Sequence, residues 1–154
     1  MADQGVEKLR RLVGAENGLC TIACLHKDGS PHTSVVNAGV MAHPVTDALS
    51  VALVVRADAA KIRMMRRDPR VAITFRHSWD WMSAHGTASL IGLDDPAEGF
   101  DMVDLPELLR QVFRSAGGTH DDWDEYDRVM AAERRLAVFI AIDRLSDNSG
   151  SASL

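Results

Sequence analysis

Leu19-Cys-Thr-Ile-Ala-Cys-Leu25, Lys27-Asp-Gly-Ser-Pro31 and His32-Thr-Ser-Val-Val-Asn-Ala-Gly-Val40 follow one another closely in the chain, and together they decide the fold. The first run is short and made of β-compatible residues. Asp28-Gly29 is a strong hairpin signal, because both residues tolerate the positive φ that tight two-strand turns need. The third run then reads as the partner strand. Outward from this hairpin, Met41 to Ala48, with Pro44 and Asp47, reads as a loop. Leu49-Ser-Val-Ala-Leu-Val-Val55 is a third strand, so apolar that both faces should be buried. Arg70 to Arg76 and Trp79 to Gly92 supply a fourth and a longer fifth strand, and Leu136 to Ile142 a sixth.

Helical spacing marks the segments between them. Val6, Leu9, Leu12 and Val13 recur on one face, with Gly14 and Gly18 as stops. A short helix starts at Asp58 or Ala59 and is ended by Pro69. Asp94-Asp95-Pro96 has the form of a helix start, and Leu105, Leu108, Leu109, Val112 and Phe113 keep the rhythm up to Gly117-Gly118. Asp122 begins another helix, with Trp123, Tyr126, Val129 and Met130 on one side. Short strands with one clear hairpin and peripheral helices imply a mainly β protein, a closed or half-closed antiparallel barrel. A single domain is expected over 1–154, with an N-terminal helix within 1–17 and a flexible polar tail at 146–154.

Composition sets the class. Hydrophobic residues are 46% and charged residues 25% of 154, ordinary globular usage. No apolar run reaches the length of a signal or membrane segment, so a cytoplasmic protein without a membrane partner is expected. Cys20 and Cys24, four apart, share one face of their strand and read as inert core thiols. The net charge of −5 conceals a division. Asp94 to Arg135 carries a surplus of acids, whereas Arg56 to Arg76 holds Arg56, Lys61, Arg63, Arg66, Arg67, Arg70 and Arg76 against Asp58 and Asp68 only. A basic island in an acidic chain is unsuited to duplex nucleic acid and better matched to a small anion.

Lys61 is the sharpest candidate within the island. It falls in the first turn of a helix that follows a buried strand ending in Arg56, where free N–H groups and the helix dipole favour a phosphate. The competing reading is a solvated basic face, which Arg66, Arg67 and Arg70 fit better. The histidines show no HxH or HExxH spacing and no serine sits in a GxSxG elbow, so no metal and no hydrolytic triad is expected. Trp79 and Trp81 stand two apart and should share a strand face, as interface packing or as a wall for a planar ligand.

Gly29-Ser-Pro-His-Thr-Ser34, Lys61-Ile-Arg-Met-Met-Arg-Arg-Asp-Pro-Arg-Val71 and His85-Gly-Thr-Ala88 resemble the pyridoxamine 5′-phosphate oxidase-like split barrels. Asp122-Trp-Asp-Glu-Tyr126 through Ala132-Glu-Arg-Arg-Leu136 is similar to the branch that uses the deazaflavin coenzyme F420 instead of FMN. The resemblance, over about 10–146, implies a six-stranded Greek-key split barrel, homodimeric, with cofactor at the subunit interface. It implies that Lys61 holds the cofactor phosphate beside the Ala60 backbone. By the same resemblance, His32, Thr33, Ser34, Val35, Val36 and Asn37 lie along the ring system. Val54, Val55 and Arg56 line the phosphate side, and Trp79 and Trp81 approach from the partner subunit. Relatives often carry a basic residue at the place of Ala59 and an asparagine near Met64, which this chain lacks; either Arg56 supplies the missing charge, or the departure means weaker binding, a different cofactor or a member without activity. The implied activity is hydride transfer from the reduced deazaflavin to a small conjugated acceptor such as a quinone, an unsaturated lactone or a tetrapyrrole. An FMN-dependent oxidase or reductase, and a non-catalytic flavin or haem carrier, are the alternatives. No acid–base pair is required, since the cofactor carries the chemistry.

Overall fold

In the computed structural model, which describes residues 3–149, three hairpins and one later strand form a single antiparallel sheet. The hairpins are β1 (Leu19–Leu25) with β2 (Pro31–Asn37), β3 (Gly39–Ala42) with β4 (Leu49–Arg56), and β5 (Arg70–His77) with β6 (Asp80–Ile91). The last strand, β7 (Arg135–Asp147), lies between β6 and β4, giving the order β2-β1-β5-β6-β7-β4-β3. The sheet does not close. Its edge strand β2 curls back to touch β4, which leaves a split along one side.

The expected strand His32–Val40 is two strands, so the sheet has seven and not six. Ala38 breaks it: its N–H donates to the Gly18 carbonyl at 2.9 Å, outside the β1 ladder. Gly39 then runs so close to the backbone of Ser115 that a Cβ could not be placed there. Met41 and Ala42, read as loop, are therefore the end of β3. The expected pairing of Trp79 and Trp81 on one face also fails. The β5–β6 ladder closes at His77 and Asp80, which leaves Ser78 and Trp79 as a two-residue turn. Trp79 is 88% exposed, whereas Trp81 is half-buried in β6.

The strand β7 is longer than Leu136–Ile142 and includes Ser146 and Asp147, so these two are not tail. A bulge at His85/Gly86 bends β6 where Gly86 packs on the Ala141 carbonyl. Residues 1–2 of the expected helix and 150–154 of the expected tail lie outside the described residues.

Helix α1 (Asp3–Ala15) runs through Gly14, and the left-handed Gly18 (φ 77°) closes it with an N–H bond to Val13. Helix α2 (Ala60–Arg67) follows β4. Helix α3 (Leu105–Ser115) does not begin at Asp94-Asp95-Pro96. The Asp94 and Asp95 carboxylates bind Arg134 and Arg66, and the helix is instead entered through a 3₁₀ turn, Met102–Asp104, capped by Asp101. Helix α4 (Trp123–Ala132) starts where expected, with the Asp122 side chain accepting the Glu125 N–H at 3.1 Å.

Two apolar layers result. Inside the curl, Leu9, Leu12 and Val13 of α1 pack on Ile22, Ile73, Phe75 and Val138. Outside it, Leu105, Leu108, Leu109 and Val112 of α3 and Tyr126 of α4 pack on Ala52, Ala137 and Phe139. The strands β4 and β7 feed both layers with alternate residues, so they are buried on both faces, as the apolar run at 49–55 predicts. Cys20, Ile22 and Cys24 line the inner layer. Burial pushes the Cys20 thiol up to about 12, so it is protonated at neutral pH.

Candidate functional site

A cavity of about 850 Å³ opens along the split, between β2, the end of β4 and the α3–α4 hairpin. Three segments meet there for local reasons. The unpaired edge of β2 presents Val35, Val36 and Asn37. The strand β4 ends in Val54-Val55-Arg56, and the turn after it delivers Ala59 and Lys61 to the same rim. Asn17 reaches in from the turn before β1, and its carbonyl accepts from the Asn37 amide at 3.0 Å. The far wall is Val112, Phe113, Ala116, Gly117, Gly118, Thr119, Tyr126 and Met130.

Every charged residue in this lining is a cation: Arg56, Lys61 and Arg135. Lys61 is half-buried and has no hydrogen bond or ion pair among the described residues. Its charge is felt at Cys24, whose thiol is nonetheless raised because burial outweighs that attraction. The cap of α2, Ala59, offers no side-chain acceptor; its carbonyl accepts the Ile62 N–H at 3.0 Å, and the N–H groups of Ala60 and Lys61 are left open to a ligand. Arg135 keeps its Nε buried and without an acceptor. A half-buried amine, free helix N–H groups and an orphaned guanidinium nitrogen form a donor set that suits a phosphate.

The opposite wall is apolar and aromatic. Phe113 stacks on Tyr126 with ring centroids 5.1 Å apart, and Trp123 meets both rings edge-on. The Tyr126 hydroxyl donates to the Leu109 carbonyl at 3.1 Å, and burial raises its pKa to about 12, so it serves as a fixed neutral donor. Arg114 lies 4.6 Å over the Trp123 ring. This wall can lie against a flat, conjugated molecule.

Of the residues singled out from the sequence, Val35, Val36, Asn37, Val54, Val55, Arg56 and Lys61 meet in the cavity. His32, Thr33, Ser34 and Ala60 adjoin it on β2 and α2 but are not in its lining, and Trp79 and Trp81 lie apart from it at the β5–β6 turn. Arg66 and Arg70 form ion pairs with Asp95 and Asp68 at 2.6 and 2.7 Å, and Arg67 reaches the Leu25 carbonyl, as surface residues would. No three His, Cys, Asp or Glu side chains converge as a cation site among the described residues.

The far wall and Arg135 are what sequence reasoning missed. The Gly117-Gly118 pair signalled only a helix end. Arg135 stood within an acidic stretch, with nothing to pair it to Arg56.

Over residues 6–136 the sequence matches the pyridoxamine 5′-phosphate oxidase family. Among solved structures, a conserved hypothetical protein from Mycobacterium tuberculosis superposes with a TM-score of 0.64 at 21% identity, over 96% of this chain and 84% of that one. A heme binding protein from Mycobacterium smegmatis gives 0.64 at 16% identity, over 98% and 56%. A pyridoxamine 5′-phosphate oxidase-related, FMN binding protein from Nostoc punctiforme gives 0.63 at 11%, over 96% and 84%. At such identities the likeness is one of fold.

Proposed function

The chain belongs to the pyridoxamine 5′-phosphate oxidase family, and on that premise we propose that it is an oxidoreductase binding a phosphorylated flavin-type cofactor, coenzyme F420 in preference to FMN. The observation that carries this reading is the charge pattern of the cavity. Its only charged lining residues are cations, gathered at one end, and the unpaired Lys61 is among them.

Lys61 and the α2 N–H groups would hold the phosphate, with Arg56 beside them. Val35, Val36, Val54 and Val55 would face the rings and keep water from them. A bound deazaflavin or flavin supplies hydride transfer. The chain's own residues bind, orient and exclude solvent, and none is required to move a proton. Phe113, Tyr126 and Met130 would border the acceptor, which favours a conjugated organic molecule such as a quinone, an unsaturated lactone or a tetrapyrrole.

FMN remains the second reading, supported by the FMN binding relative from Nostoc punctiforme. A haem carrier is less well supported by the chemistry, since the lining offers iron no histidine, cysteine or tyrosinate: its one tyrosine is held protonated. Titration of the apoprotein decides between the cofactors. Coenzyme F420 should bind about tenfold more tightly than FMN, a difference of about 1.4 kcal/mol. Equal or reversed affinities would remove the deazaflavin part.

The proposal includes a second copy of the chain. The ladder registers place Leu19, Thr21 and Ala23 of β1, Thr33, Val35 and Asn37 of β2, and Ala72 and Thr74 of β5 on one outer face, with the exposed Arg70 and Arg76 of β5 at its two ends. Leu19 is 47% and Val35 66% exposed. A sheet face with an uncharged centre and charged margins suits an interface.

A further inference from the structure

Arg56 and Arg135 are direct cross-strand partners in the β4–β7 ladder. Like charges in that relation repel. A single carboxylate stands between them: Glu133, 3.0 Å from Nη2 of Arg135 and 3.7 Å from Nε of Arg56. Asp58 takes an Arg56 nitrogen at 3.2 Å, but Arg135 keeps a buried Nε with no acceptor, and Lys61 has no partner among the described residues. Both arginines and Lys61 line the cavity, whereas Glu133, just before β7, does not. One acid thus serves two guanidinium groups that face a cavity otherwise free of negative charge.

We infer that Glu133 is an internal stand-in for a ligand anion, and that Arg135 is a second anchor for that anion, gripping it from β7 as Lys61 does from α2. The inference rests on the reading of the cavity as a phosphate-bearing cofactor site. An incoming phosphate offers several acceptor oxygens in place of one shared carboxylate, so it can satisfy Arg135 Nε and release Glu133 towards solvent. Binding of the anion is therefore a competition with Glu133, and removing the competitor should strengthen it. That sign distinguishes the idea from a purely structural role for Glu133, in which its loss would leave binding the same or weaker.

The test uses the full chain at low salt and four probes: FMN, coenzyme F420, riboflavin (the FMN ring system without the phosphate) and inorganic pyrophosphate. Glu133→Gln should bind FMN and pyrophosphate about three- to tenfold more tightly than wild type, within the range expected for one charge-assisted contact. Arg135→Gln should bind both about tenfold more weakly, and Arg135→Lys should fall between the two. Riboflavin should bind all forms alike. The arginine pair keeps the inference testable should Glu133→Gln fail to fold. Wild-type FMN affinity in Arg135→Gln, or unchanged or weakened FMN and pyrophosphate binding in a folded Glu133→Gln, overturns the inference and leaves the cofactor reading standing. The expected pyrophosphate pattern without any flavin or deazaflavin binding removes the cofactor reading and leaves the anchor.

Discussion

Lys61 occupies a position where burial and solitude coincide, and that combination gives it a measurable role. A half-buried ammonium with no acceptor gains more from an incoming phosphate than one already paired at the surface. Loss of such a charge-assisted contact should cost about 1.5–3 kcal/mol. Lys61→Ala should therefore bind coenzyme F420 or FMN roughly ten- to a hundredfold more weakly in a titration, while its melting temperature stays within a few degrees of wild type. Unchanged affinity would return Lys61 to a solvated basic face. Lys61 and Arg56 could be read from the sequence because the end of an apolar run and the start of a helix lie five residues apart. Arg135 could not, for it reaches Arg56 only through a ladder that joins distant segments.

At the scale of elements, the site depends on how closely β3 approaches α3. Gly39 allows that approach, and Val112 and Ala116 of the same region form part of the cavity wall. Gly39→Ala would drive a methyl into the Ser115 backbone, an overpacking that should cost about 1–3 kcal/mol. Each kcal/mol lost lowers the melting temperature of a chain this size by roughly 2–4 °C, which calorimetry would register. A variant as stable as wild type would mean that α3 can move aside. Nothing in the run His32–Val40 announced this contact, because its strand-like residues continue unbroken past Ala38. By contrast, Asp122 was legible as a cap from its own neighbourhood, since helix starts are decided within a few residues. Asp94-Asp95-Pro96 had the same local form and failed, because Arg134 and Arg66 claim both carboxylates from elsewhere in the fold.

For the whole molecule, a partly exposed ionic cluster ties α1 to the end of the sheet. Lys8 lies 2.9 Å from Asp80 and 3.0 Å from Asp147, and Arg11 meets Asp80 at 2.9 Å. Hydrogen bonds from Lys8, then from Arg11 at Asp80 and from Ser149 at Asp147, hold both carboxyls below their usual range. The fold therefore binds these protons more weakly than the unfolded chain does. The stability they contribute is present above roughly pH 4 and lost as pH falls through the lowered folded values. Melting temperature should drop on the acid side, and Lys8→Met should flatten that limb. An identical acid limb in the variant would exclude the cluster as its source. Assembly belongs to this scale as well. The outer face of β1, β2 and β5, uncharged at its centre, leads us to expect a homodimer in sedimentation, and a stable monomer that binds cofactor normally would sink the interface role of that face. The sequence expectation rested the interface on Trp79 and Trp81 together, and the turn position of Trp79 leaves only Trp81 on a strand.

The place of β7 between β6 and β4 has a consequence for how the protein is made. On the ribosome, β1 to β6 emerge first, and they can form only two pieces: the sub-sheet β2-β1-β5-β6, and the separate β3–β4 hairpin. No strand ladder joins them until residues 135–147 emerge and insert as the shared neighbour. Until then β4 and β6 each present an open hydrogen-bonding edge, and β4 an apolar one, the condition under which nascent chains associate wrongly. Completion of the sheet thus waits for β7. A message cut short before Leu136 would encode two sub-sheets with no ladder between them and with open edges, not a smaller version of the protein.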